Sequence, residues 1–418
     1  MKKVLLCTVG GSHEPILTAL RQIDPDYTYF VCSHDKDGSM SSESMIIGKG
    51  KVIKKHYSDE KPSLENIPAQ LGLGNECFEV IYVEPDDIDN VVIETDKIIR
   101  SMMKSLQNPT IYADYTGGTK SMSAGLVLAA LENDIELHLV KGKRADLAKV
   151  AEGTQCGFPA GVERVRFNRE LKNRLSGWDE YAYGQSRNAL EKMERPRLPD
   201  LQQQMIRAIN LSKAFDAWDR FDHDMAYQLI SSFRQDIGRT NPEYLRSLDL
   251  LRSDKPASEP ARIYDLWLNA LRRSHQGRYD DAVARVYRVI EWIAQWLLHK
   301  EFSVETSDLP SEFIPEGIII HPDHHGKLRA PLSLAWKLVE HKSQGALGDY
   351  VRQNSMALMT PLEIRNKSIL AHNFRPVDKD SWNLVQKWFI DNLHDPFLNE
   401  AKKSGLKKPL EQLPWAYI

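Results

Sequence analysis

Arg365 and His372 lie seven residues apart in the segment Arg365-Asn-Lys-Ser-Ile-Leu-Ala-His372, and a guanidinium paired with an imidazole suits the cleavage of RNA without a metal. RNA carries its own nucleophile in the 2′-hydroxyl. A protein then has to position that hydroxyl, move protons with a group that titrates near neutrality, and stabilise charge on the phosphate. Histidine provides the proton transfer and arginine a bidentate grip on phosphate oxygens. Thr360-Pro361-Leu362-Glu363, just upstream, has the form of a capping box, with Pro361 at the first helical position and Glu363 reaching back to the Thr360 cap. On the predicted helix, seven steps bring Arg365 and His372 to within roughly 20° of one another, separated by about 10 Å of axial rise. One helix therefore does not by default bring both groups to one phosphate. A second copy packed antiparallel across a two-fold axis would interleave two arginines and two histidines around one cleft.

The other residues suited to chemistry lie at the opposite end of the chain. Val4 to Val9 forms an apolar run leading into Gly10-Gly11-Ser12-His13-Glu14-Pro15 and then a helical pattern through Leu20. That is the order strand, glycine turn, helix. Tyr27–Cys32, Phe78–Val83, Thr110–Asp114 and Glu136–Val140 read as further strands, with a helix from about Asp89 to Leu106. Strands alternating with helices predict a mostly parallel, doubly wound Rossmann-like sheet whose ligands gather at the carboxyl ends of the strands. Two glycine turns fall at such ends. One is Thr8-Val9-Gly10-Gly11-Ser12; the other, Thr116-Gly117-Gly118-Thr119-Lys120-Ser121, follows the Asp114 strand and opens a helix. Glycine lets backbone N–H groups approach an anion, and the helix N-terminus adds partial positive charge. Thr119, Lys120 and Ser121 supply further donors. The second turn is not a Walker loop, because Thr119 separates Gly118 from Lys120, and Gly10-Gly11 lacks the third glycine of a dinucleotide fingerprint.

The 418 residues are enough for two or three domains. Acidic residues outnumber basic ones by 58 to 55, so no global positive field marks a long nucleic-acid footprint and any RNA contact must be local. Cys7, Cys32, Cys77 and Cys156 are widely spaced with no zinc pattern, and they read as reduced, mostly core cysteines. No run of about twenty apolar residues occurs, so the expectation is a cytoplasmic protein with no membrane partner.

From Ala151 to Asn168 the composition turns to glycine, proline and polar residues, which marks a domain boundary. Beyond it the pattern is helical. Glu180–Met193, Leu201–Leu211, Ala214–Ile237 and Glu243–Arg252 form a middle layer, with breaks at Pro196/Pro199 and Lys255–Pro260; Ile263–Gln276 and Asp280–His299 follow. The predicted organisation is 1–160 an α/β domain, 170–260 helical and connecting, and 261–418 a C-terminal helical domain. His321-Pro-Asp323-His324-His325 invites a metal reading, but adjacent ligands on a proline-containing loop rarely wrap one ion, and a surface loop is expected. Trp292, Trp296, Trp382 and Trp388 are expected to fill the helical core or a dimer interface. The doublets Lys402-Lys403 and Lys407-Lys408 are expected to be solvated.

Taken together, these motifs resemble a known family. Thr116 to Met122 is similar to the signature of CARF domains, the doubly wound sensors of type III CRISPR systems, and Arg365-Asn366 to His372 resembles the motif of HEPN ribonuclease domains. Their order matches the CARF-HEPN ancillary ribonucleases. The resemblance implies a homodimer that binds a cyclic oligoadenylate, tetra- or hexa-adenylate, across its two-fold axis as an allosteric activator. It implies activator contacts at Thr8, Gly10, Gly11, Ser12, Thr116, Gly117, Gly118, Thr119, Lys120 and Ser121, with the polar stretch Ser33 to Ser39 as a weaker candidate. It further implies single-stranded RNA as substrate, no metal cofactor, and a catalytic set of Arg365, Asn366 and His372. Some CARF domains also cleave their activator, and Thr8, Ser12 or Thr119 are the hydroxyls suited to orient a ribose for that ring-nuclease step. Arg285-Val-Tyr287-Arg288-Val-Ile-Glu291 resembles a helix that packs beside the catalytic one, read either as an ion-paired face or, at Arg288, as a substrate contact.

Two other classes compete with this reading. In one, a signal-binding regulatory protein, the C-terminal helices only dimerise or recognise a partner. The other is a nucleotide-dependent enzyme whose glycine turns hold an ordinary mononucleotide.

Overall fold

The computed structural model describes residues 2–34, 41–47, 64–142, 156–354, 364 and 375–418. Two compact units divide at Arg166/Phe167.

The first unit is a six-stranded sheet of order β3-β2-β1-β4-β5-β6. Its strands are β1 (Lys3–Thr8), β2 (Tyr27–Ser33), β3 (Phe78–Val83), β4 (Thr110–Asp114), β5 (Glu136–Lys141) and β6 (Cys156–Pro159). The first five pair in parallel, as the alternation of strands and helices predicts. The two-residue period of the strands divides the core. Leu5, Cys7, Phe30 and Cys32 pack on one face with Ile16, Leu17 and Leu20 of α1 (Glu14–Ile23). Val4, Leu6, Ile111 and Ala113 pack on the other with Ile99 and Met102 of α3 (Ile88–Ser105) and Leu126 and Ala129 of α4 (Lys120–Glu132). A short helix, α2 (Ile67–Leu71), precedes β3. Helices on both faces make the sheet doubly wound.

β6 is a departure from the sequence reading, which treated its residues as linker. It pairs antiparallel with β5 and covers what would otherwise be the sheet's open edge. Its side chains are largely exposed, so no alternation of apolar residues announces it, and Pro159 is tolerated only because this is an edge. Among the cysteines, Cys7 and Cys32 are core, Cys77 is half-buried and Cys156 is exposed on this edge strand. The core reading thus holds for two of the four. Burial pushes the Cys7 thiol well up, with the Asp114 carboxylate adding to the effect, and burial pushes Cys32 up to about 12.

The second unit is helical: α5 (Glu163–Arg174, which straddles the division), α6 (Tyr183–Glu191), α7 (Pro199–Asp219), α8 (His223–Ser231), α9 (Arg234–Thr240), α10 (Pro242–Leu251), α11 (Ser258–His275), α12 (Tyr279–Phe302), α13 (Leu332–Lys342) and α14 (Ala346–Asn354), then helices Lys379–Phe389 and Asp395–Lys403. Helix boundaries differ from expectation in two places. The expected gap between Leu211 and Ala214 does not exist, because Ser212 is wholly buried and its hydroxyl accepts a hydrogen bond from Trp178 Nε1 at 3.0 Å. The helix ends instead near Arg220, where Phe221 takes φ +64° and Asp222 caps α8 by accepting from Met225 N. A stop made by a non-glycine residue at positive φ carries little sequence signal. Pro260, read as a breaker, lies in the first turn of α11, where a missing N–H costs no helical bond.

One core runs through this unit from Phe167 to Leu413 and includes the predicted stripe Val283, Val286, Ile290, Ile293 and Leu297 of α12. Trp296 and Trp382 are buried in it, and Trp292 and Trp388 are half-buried against it. A polar network crosses the same core. Asp219, ending α7, accepts from Arg272 Nε at 2.7 Å and Asn269 Nδ2 at 2.9 Å, and pairs with Arg273. Asp265 accepts from Trp218 Nε1 and lies 3.0 Å from His223 Nε2. The chain after Gly405 then runs over these helices: Arg272 Nη1 donates to Gln412 Oε1 at 2.6 Å and the Tyr183 hydroxyl to the Pro414 carbonyl at 2.7 Å.

Candidate functional site

The two glycine turns adjoin at the carboxyl ends of β1 and β4, which are neighbouring strands. Their backbones touch so closely that side chains have no room. A Cβ on Gly10 would come within 2.6 Å of Gly118 N, and one on Gly117 within 2.3 Å of the Thr8 carbonyl oxygen. Gly118 takes φ +79°, a conformation that glycine alone adopts readily. Gly11, by contrast, has nothing within 4 Å of a Cβ and is exposed.

Three of the predicted contact residues build the turns with their side chains. Thr8 is wholly buried and its hydroxyl donates to the Gly117 carbonyl at 2.7 Å. Thr119 is the N-cap of α4, accepting from Met122 N at 3.2 Å and donating to the Pro85 carbonyl. Thr116 Oγ1 accepts from Val140 N at 2.8 Å, tying the turn to β5. Ser12 and Lys120 are exposed and Gly10, Gly117, Gly118 and Ser121 are half-exposed. The surface offered to a ligand is therefore glycine backbone, the first turn of α4 and the side chains of Ser12, Lys120 and Ser121. Such a surface is suited to phosphate.

Sequence reasoning passed over His138. It is the ladder partner of Asp114 on β5, and its Nδ1 lies 2.7 Å from Asp114 Oδ2. A histidine inside a strand gave no signal of this. Of the Ser33 to Ser39 stretch, Ser33 bonds Ser42 through both N–H and hydroxyl, and Ser41 donates to the Ser33 carbonyl at 2.6 Å. Residues 35–40 lie outside the described residues. Nearby, the Tyr82 hydroxyl donates to Glu43 Oε1 at 2.6 Å, a bond that pushes its pKa up to about 12, and its ring meets His34 edge-on.

Arg365, Asn366 and His372, with the Thr360–Glu363 cap, lie outside the described residues. The residues around them are placed. Ile364 is helical and packs, half-buried, against the helical core. Val377 N donates to Asp280 Oδ2 at 3.0 Å, fastening the following chain to the start of α12. On α12 Arg285 donates to Asn269 Oδ1 and the Asp281 carbonyl, while Arg288 donates to Glu291 and Gln295 at 2.8 Å each and lies over the Trp292 ring. That is an ion-paired face. In the histidine-rich loop, Asp323 accepts from the N–H groups of His325 and Lys327 and pairs with Arg329. Among the described residues no group of three or more His, Cys, Asp or Glu is placed to hold a metal ion, and no helix is long and apolar enough to cross a membrane.

The class these units define is a doubly wound Rossmann-like sheet followed by a helical domain. Residues 253–395, which include the whole Arg365 to His372 segment, match the family model of the Csm6 HEPN domain. Over 97% of this chain and 94% of the other, the fold is that of Enterococcus italicus Csm6 bound to cyclic hexa-2′-fluoro-hexa-dAMP, at 11% identity and a TM-score of 0.54. A looser likeness, with a TM-score of 0.22 and 12% identity, links 57% of the chain to 69% of Can2 from Sulfobacillus thermosulfidooxidans in complex with cyclic tetra-adenylate. No curated protein matches the chain by sequence. The C-terminal part of the chain thus matches the Csm6 HEPN domain, and the chain shares the fold of Csm6.

Proposed function

We propose that the protein is a cyclic-oligoadenylate-activated, metal-independent endoribonuclease that cleaves single-stranded RNA as a cytoplasmic homodimer. The observation that carries this reading is that the HEPN family match encloses Arg365, Asn366 and His372. His372 acts as general acid or base, Arg365 stabilises the charged phosphate, and Asn366 orients one of them or the scissile phosphate. Attack by the 2′-hydroxyl on the adjacent phosphate expels the 5′-oxygen, so the products carry a 2′,3′-cyclic phosphate or its opened form and a 5′-hydroxyl.

The activator's phosphates are held by the glycine turns, with contacts from Gly10, Gly11, Ser12, Gly117, Gly118, Lys120 and Ser121. Thr8, Thr116 and Thr119 hold the shape of those turns through the bonds described above. For a secondary ring-nuclease step, Thr8, Ser12 or Thr119 orients a ribose hydroxyl. Activation is a population shift: the ring prefers the dimer arrangement in which the two Arg365–His372 helices are competent.

Cleavage of a fluorescent single-stranded RNA in EDTA, with and without cyclic tetra- or hexa-adenylate, tests the proposal. Activation by one ring that disappears in His372→Ala supports it and names the activator. Ring binding without cleavage turns the reading to a regulatory protein, and cleavage that survives His372→Ala puts the active site elsewhere.

A further inference from the structure

We infer that Asp114 and His138 are positioning residues for the activator, a buried hydrogen-bonded pair that sets the direction in which the Thr116–Ser121 turn leaves the sheet. The inference rests on the reading above, that this turn faces the phosphates of a cyclic oligoadenylate. Asp114 ends β4 with no exposed surface, and His138 is 7% exposed. A carboxylate in that place is costly unless each oxygen is bonded. Both are: Oδ1 accepts from Thr116 N at 2.9 Å and Oδ2 from His138 Nδ1 at 2.7 Å. Because a carboxylate only accepts, the histidine proton in this bond is on Nδ1.

Neighbouring strands accommodate the pair. The imidazole lies against β6 at Gly157, where a Cβ would come within 2.4 Å of both Cε1 and Nε2. An apolar residue at 114 would pack the sheet as its neighbours do, yet would leave the Thr116 N–H without its acceptor. From Thr116 the turn is fixed on its other sides by Val140 N on Thr116 Oγ1 and by the hydroxyls of Thr8 and Ser123 on the Gly117 carbonyl. Of these anchors, the Asp114–His138 pair holds the first residue of the turn by its backbone. Neither side chain touches the ligand; both act through the turn.

Two substitutions of similar polarity separate this role from simple packing. His138→Asn places an amide N–H where Nδ1 lies, and His138→Gln places one where Nε2 lies, out of reach of Asp114. Calorimetric titration of full-length protein with cyclic tetra- and hexa-adenylate should show His138→Asn within about threefold of wild type and His138→Gln weaker by about tenfold or more. Hydrogen–deuterium exchange over residues 115–119 should be faster in His138→Gln only. RNA cleavage at saturating activator should stay within about twofold of wild type in both. Equal binding by the two variants, whether strong or weak, overturns the inference. If wild type binds neither ring, the functional reading fails instead, and the exchange comparison still decides whether the pair holds the turn.

Discussion

The Thr8 hydroxyl donates to the Gly117 carbonyl across 109 residues of sequence, and this bond joins the two glycine turns into one surface. Thr8 is also the last residue of β1, so the strand that centres the sheet ends by fixing the neighbouring turn.

Backbone contact at this junction predicts unequal tolerance of alanine. Gly117→Ala drives a Cβ into the Thr8 carbonyl and should lower the unfolding free energy by about 1–3 kcal/mol. Gly11→Ala meets open space and should change it by less than about 0.5 kcal/mol. Chemical denaturation of the two variants checks the contrast; equal losses would mean the turns are not packed as described.

Lys120→Ala should separate binding from stability. Its side chain is exposed on the first turn of α4, so thermal unfolding should not move. Affinity for the cyclic oligoadenylate should fall by about tenfold at low salt, and the gap should narrow as salt rises. An unchanged affinity would remove Lys120 from the phosphate site.

In the helical unit, Asp219→Ala takes the carboxylate from both the wholly buried Arg272 and the buried Arg273 and should cost about 3–5 kcal/mol. Replacing both, as Asp219→Ala with Arg272→Met, should recover part of that loss, since one of the two guanidinium groups left without Asp219 is then removed. Guanidinium denaturation of wild type, single and double variants tests this, and strictly additive losses would contradict it.

Glu400 gives the second unit an acid-sensitive element. Burial raises its pKa, but hydrogen bonds from Lys300 at 2.6 Å and Lys403 at 2.9 Å outweigh that and hold the carboxyl below its ordinary value. A folded value below the unfolded one, about 4.3, makes the contribution whole above that pH and removes it as pH falls through the folded value. The stability gap between wild type and Glu400→Gln should be constant near neutrality and shrink in acid. A gap independent of pH would sink the assignment.

The parallel strands were legible because apolar runs, glycine turns and helical periodicity all pointed the same way there. β6 was not, because an exposed edge strand has no apolar alternation to display. The continuity of α7 through Ser212 depends on Trp178, 34 residues away, and its end depends on Phe221 at positive φ. Neither cause is local in sequence. At the candidate site Gly10 and Gly117 could be read directly, since close backbone approach demands them, whereas Gly11 stands in open space. That Thr8 and Thr119 turn their hydroxyls inward, and that His138 meets Asp114, follows from strand neighbours that no spacing rule encodes.

The sheet order has a consequence for how the first unit comes into being. β1 pairs with β2 over a short stretch of chain, but with β4 only after a loop of about a hundred residues closes, which is a slow kind of step. The surface shared by the two glycine turns does not exist until that closure. A nascent chain that has folded β1, β2 and β3 but not yet docked β4 therefore lacks the joint surface altogether, and that surface arises in one step with the docking of β4.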